Sequence, residues 1–169
     1  SDGLSRELFQ FGDPGSVERH AVLAVDRGQT VPDGVESQVT ALAADLGIDA
    51  SFRTTMESVE TKFGALPIVE MSIPGAEGTK ACLGFVLREG GAEFRATGWI
   101  CSPGAEIVAR PEVSCFLDRL FAVSAGDPQV AAMFTRAELR RQPCTSATQA
   151  APVRAFEGPA APRLRMSRL

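Results

Sequence analysis

The sequence predicts a single α+β domain stapled by two disulfides, and three observations lead there. Apolar residues alternate with a period of two between Phe52 and Cys101. They recur every three to four residues on either side of that stretch, and four cysteines fall where two bridges could close it. A chain of 169 residues, 44% of them hydrophobic, can bury one sizeable core and leaves little for a second.

Residues 1–32 carry a short amphipathic stretch (Leu4, Leu8, Phe9, Phe11), a Gly12-Asp13-Pro14-Gly15 break and a candidate strand over 20–25. They read as a linker or a poorly defined N-terminal segment. After Pro32-Asp33-Gly34, the spacing of Val35, Val39, Leu42 and Leu46 predicts one amphipathic helix that Gly47 stops. Strands are expected near 54–62, 66–73, 80–88 and 93–101, punctuated by Gly64, Pro74-Gly75 and Gly90-Gly91. Beyond Pro103-Gly104 the helical period returns. Pro111 suits a first helical position, Val113, Phe116, Leu117, Leu120 and Phe121 share a face, and Gly126 supplies a cap. Asp127-Pro128 starts a second helix with Met133, Phe134 and Ala137 inward, and Arg136, Arg140 and Arg141 suit its negative end before Pro143. The expected architecture is an antiparallel β-meander of about four strands, packed by a C-terminal helical hairpin and one N-terminal amphipathic helix. The domain spans 33–144. Residues 145–169, rich in Ala, Pro, Ser and Thr, form a disordered or loosely docked tail.

Composition narrows the function classes. A formal charge of −4 gives no general attraction to polyphosphate or anionic lipid, so no nucleic-acid partner is expected. The tail is the exception, since Arg154, Arg163, Arg165 and Arg168 against Glu157 give it +3 and leave −7 on residues 1–144. No apolar run is long enough to insert in a membrane. Ser1-Asp2-Gly3 has neither an initiator Met nor a signal-peptide layout, so the expectation is a chain whose N-terminal signal or anchor has been removed.

The cysteines carry the strongest argument. Cys82, Cys101, Cys115 and Cys144 are separated by 18, 13 and 28 residues, which lacks the close pairs of structural zinc sites. A β-hairpin turning at Gly91-Ala92 sets Cys82 opposite Cys101, Leu83 opposite Ile100, Gly84 opposite Trp99 and Phe85 opposite Gly98. Each glycine then lies under a ring, and a slip by one residue would send the cysteines to opposite faces. The helical hairpin brings Cys115, in the opening turns of its first helix, near Cys144, just past the end of its second. The preferred pairs are Cys82 with Cys101 and Cys115 with Cys144, and reduction is expected to loosen the helices before the sheet.

Catalytic signatures are sparse. His20 is the only histidine and has no recognisable acid partner. The stretch from Gly75 to Lys80 lacks phosphate-loop spacing and opens no helix, and Glu57, Glu60 and Glu70 suit a solvated strand face. No catalytic, cofactor-binding or metal-binding residues are assigned, and no cofactor is expected. Trp99 and Arg95, with Thr97 on the same face, are candidate partner-binding residues if that face stays open. The Arg-rich tail with Pro159 and Pro162 is either a short linear ligand or a solubilising end.

The segments Glu60-Thr-Lys-Phe-Gly64, Cys82-Leu-Gly-Phe85, Gly98-Trp-Ile-Cys101, Cys115-Phe-Leu-Asp-Arg-Leu120, Ala125-Gly126 and Phe134-Thr-Arg-Ala-Glu-Leu139 resemble a group of alphaproteobacterial proteins without an assigned activity. The likeness covers residues 58–144 and, more faintly, Ala161-Pro-Arg-Leu-Arg165. It implies an exported, periplasmic protein held at the inner membrane by an N-terminal helix, and implies nothing catalytic. The leading expectation is therefore a non-enzymatic extracytoplasmic interaction or accessory module with a protein partner in the cell envelope. One alternative is a small hydrolase or thiol-dependent enzyme using His20 and one of Cys82, Cys101, Cys115 or Cys144. Another is a cytosolic ligand-binding domain with reduced cysteines.

Overall fold

The computed structural model describes residues 5–28, 34–88, 94–122, 126–141 and 144, with the backbone alone at 54–56, 153–155 and 164–166. Its centre is a seven-stranded antiparallel sheet with strand order β3-β4-β5-β6-β2-β1-β8. The strands are β1 (Ser5–Phe11), β2 (His20–Arg27), β3 (Ser51–Thr61), β4 (Gly64–Gly75), β5 (Gly78–Arg88), β6 (Phe94–Cys101) and β8 (Val153–Ala155). Helix α1 (Val35–Asp45) lies on one face, and α2 (Arg110–Asp118) and α3 (Pro128–Glu138) contribute to the core of the other. A small ladder of β7 (Leu120–Ala122) with β9 (Leu164–Met166) completes the fold.

The four strands read from alternation are the meander β3 to β6, but the sheet is wider. Of the segment read as a linker, residues 5–28 belong to the sheet: β1 and β2 form a hairpin, and β2 lies in the interior of the sheet between β1 and β6. A strand buried on both faces shows no alternation, and the run His20-Ala-Val-Leu-Ala-Val25 is buried throughout. Two strands consequently precede α1.

The β5–β6 register is the one the cysteines require, with Cys82 opposite Cys101, Gly84 opposite Trp99 and Phe85 opposite Gly98. The turn at Gly91-Ala92 lies outside the described residues. Each of these glycines is demanded by a close approach. A methyl at Gly98 would stand 2.2 Å from the Val22 carbonyl oxygen and 3.2 Å from Phe85 Cζ. At Gly84 it would meet Val39 of α1 and Val69 of β4, both at 3.0 Å. Gly98 therefore admits a ring on one face, and Gly84 admits the helix on the other.

The stretch 110–121 is not one helix. Its apolar spacing suits a helix as far as Phe121, yet α2 stops at Asp118 and Leu120–Ala122 pairs with β9. Lys62, its side chain fully buried, supplies the reason. Its ammonium donates to the carbonyls of Asp118 (2.9 Å) and Leu120 (2.5 Å) and to Glu138 Oε1 (2.6 Å), taking up acceptors that a longer helix would have used internally. Helix α3 begins as its sequence dictates, with Asp127 Oδ1 accepting from the Gln129 N–H at 2.7 Å and Pro128 following the cap. Two three-residue strands of the tail, β8 on β1 and β9 on β7, return to the body.

Candidate functional site

Successive residues of β2 point to opposite faces, so His20, Val22, Ala24 and Asp26 all face α1. Cross-strand pairing puts His20 beside Cys101, Cys101 beside Cys82, and Cys82 beside Met71, in one row at the end of that face. Cys82 and Cys101 are at disulfide distance, with Cα atoms 4.0 Å apart, and both are buried (3% and 0% exposed). Cys115 and Cys144 form the second pair at disulfide distance, with Cα atoms 5.5 Å apart. Cys115 is buried but Cys144 is only half-buried, so this pair lies nearer the surface. No cysteine is left unpaired. Such pairing is compatible with an oxidising, extracytoplasmic location.

Lys80 stands two residues before Cys82 and is buried with His20. Its ammonium donates to the Glu18 carbonyl at 2.8 Å, reaches that of Pro14 at 3.5 Å, and lies 3.3 Å from His20 Nδ1. An ammonium offers only donors, so Nδ1 accepts and the proton of the neutral ring sits on Nε2. Burial, followed by the Lys80 charge, pushes the His20 pKa down to about 4. Burial likewise holds Lys80 below its ordinary value, against the pull of Asp13 and Glu18. The one histidine is therefore a neutral, buried ring beside Lys80, and it is Lys80 that fastens the β1–β2 loop to β5. With Nδ1 occupied by an ammonium and the residue only 3% exposed, it has no lone pair to offer a substrate.

The opposite end of the same face is ionic. Asp26 accepts from Arg95 Nη2 at 2.6 Å and from Arg6 Nε at 2.6 Å, while Arg6 Nη1 reaches Asp45 at the end of α1, also at 2.6 Å. Burial alone would raise the Asp26 pKa, but Arg6 and Arg95 outweigh it and hold the carboxyl below its ordinary value. The chain of charges ties β1, β2 and β6 to the helix. Arg95 is thereby accounted for, since both described contacts of its guanidinium go to Asp26.

Trp99 lies between these two ends, 0% exposed and packed among Val22, Val39 and the cysteine pair. It is the helix-covered tryptophan rather than an open anchor, and neither it nor Arg95 presents a surface to a partner in this conformation. Its Nε1, with His20 Nε2 and Thr97 Oγ1, has no hydrogen-bond partner among the described residues. Sequence reasoning missed Lys62, Lys80 and Asp26, because each is recognised only by partners 20 to 76 positions away. No group of residues suited to holding a metal ion occurs among the described residues. No described helix is long and apolar enough to cross a membrane.

No protein-family model, no curated protein and no solved structure matches the chain.

Proposed function

We propose that this protein is a non-enzymatic interaction or accessory module of the periplasm, held at the inner membrane by an N-terminal anchor and acting on a protein partner in the cell envelope. The observation that carries the reading is that all four cysteines stand in two pairs at disulfide distance. An oxidised set suits an exported protein and leaves no thiol for a nucleophile, and His20 is tied to Lys80. The thiol-dependent alternative needs a free cysteine beside an accessible histidine, and the cytosolic alternative needs four reduced thiols.

The test combines thiol counting in denaturant with crosslinking in intact cells of the source bacterium and a hydrolase substrate screen. The expected results are no free thiol without reductant, a crosslinked envelope protein and no turnover. Four free thiols, or turnover lost on substituting His20, would contradict the proposal.

A further inference from the structure

Strand β1 would be an edge of the sheet were it not for the tail. Strand β8 pairs with it antiparallel through Phe9 with Ala155, Gln10 with Arg154 and Phe11 with Val153, and the described ladder stops there, although β1 continues back to Ser5. Continued in the same register, the tail would set Glu157 against Glu7 and Pro159 against Ser5. A like-charge cross-strand pair and a residue without an N–H are both poor continuations of a ladder. This chain's own sequence thus fits only the last half of β1, from Phe9 to Phe11.

Glu7 is the group that a better strand would address. Its Oε2 is buried without a hydrogen-bond partner among the described residues. Burial raises its pKa, against the pull of Arg27, which lies diagonally across on β2 opposite Ser5. The body carries −7 and the strand seated on β1 brings Arg154, so the charge balance favours a cationic strand at this edge.

We propose that the outer edge of β1, over residues 5–11, is a docking site for an extended polypeptide strand with a basic residue opposite Glu7, and that β8 is a short resident strand such a partner displaces. The mode is strand addition, in which main-chain hydrogen bonds supply affinity and the side chain opposite Glu7 supplies selectivity. The inference rests on the reading of the protein as an interaction module and names the kind of segment that module takes.

The test uses the full chain and two labelled synthetic peptides with the sequence of residues 151–160, one unchanged and one carrying Glu157→Lys, with binding followed by fluorescence anisotropy. The lysine peptide is expected to bind about tenfold more tightly, the ratio of an opposite-charge to a like-charge cross-strand pair. In Glu7→Gln protein the preference should collapse toward unity, and in wild-type protein the bound lysine peptide should slow amide exchange at residues 5–11. Equal affinity of the two peptides, or protection at β3 instead of β1, would overturn the proposal. The wild-type comparison decides it even if Glu7→Gln fails to fold. Because the peptides stand in for the partner, a negative result here leaves the envelope-module reading to its own thiol and crosslinking test.

Discussion

The two faces of the sheet are closed by different means. Toward α2 and α3 the core is built from rings: Phe11 and Phe63 meet Phe116 and Phe134 edge-on, and Phe94 meets Phe134 in the same manner. Toward α1 the side chains are smaller, mainly Val, Ala and Leu around Trp99, and the face is pinned at its ends by a buried cysteine pair with Lys80–His20 and by the Arg6–Asp26–Arg95 cluster. Where rings supply dispersion and area, shape holds the helices. On the α1 face the cysteine pair joins β5 to β6 within the sheet and the ionic cluster reaches the single helix through Asp45, whereas on the other face Lys62 and the Cys115–Cys144 pair add to the rings. The two faces should therefore respond to different perturbations.

The largest effect is expected from Gly98→Ala. Its methyl would lie 2.2 Å from a main-chain oxygen of the central strand, which no rotamer change relieves. A loss of about 4 kcal/mol or more is expected in denaturant unfolding, enough to leave little folded protein. Next comes Lys62→Met, which strands the carbonyls of Asp118 and Leu120. We expect a loss of about 3 kcal/mol and faster amide exchange over α2, with α1 unaffected.

Acid acts on the α1 face instead. The unfolded chain protonates His20 near its ordinary value of 6.5, whereas the native protein resists until about 4. Between those values the unfolded state binds more protons, so stability rises with pH across the window and falls on acidification, by about 2–3 kcal/mol in total. Urea titrations from pH 7 to 4 should show this slope in wild type and a flatter one in His20→Asn. Equal slopes would remove His20 from the account. Gly84→Ala is the milder partner of Gly98→Ala, because its methyl meets side chains of Val39 and Val69 that can shift. It should cost about 1–2 kcal/mol, with exchange rising first in α1.

How much of this could be read in the sequence follows the same division. The β5–β6 register was legible because cysteine faces cysteine and each glycine faces a ring, and those matches fail together if the register slips. Strand β2 was legible only as a candidate strand over 20–25: it is apolar on both sides, and a continuous run without a period does not announce that it lies in the interior of the sheet rather than in a linker. Leu120 and Phe121 carried a helical spacing that Lys62 and β9 overrule, so local pattern lost to tertiary partners. Of the candidate site residues, the Cys82–Cys101 pair was legible from the β-hairpin register, and Cys115 with Cys144 stands at disulfide distance although β7 intervenes between α2 and α3. The burial of Trp99 depended on where α1 lands, which no feature of the strand itself announces.

The most direct test of the contrast between the faces is graded reduction of native protein, with alkylation of released thiols and mass mapping of linked peptides. The cysteine pairs close loops of 19 and 29 residues, of similar entropic worth, about 3–4 kcal/mol each, so access should set the order of reduction. Before reductant, only Cys82–Cys101 and Cys115–Cys144 peptides should appear. At low reductant Cys115 and Cys144 should be labelled while Cys82 and Cys101, sealed beneath α1, remain linked. A different pairing, or labelling of Cys82 and Cys101 first, would contradict the account.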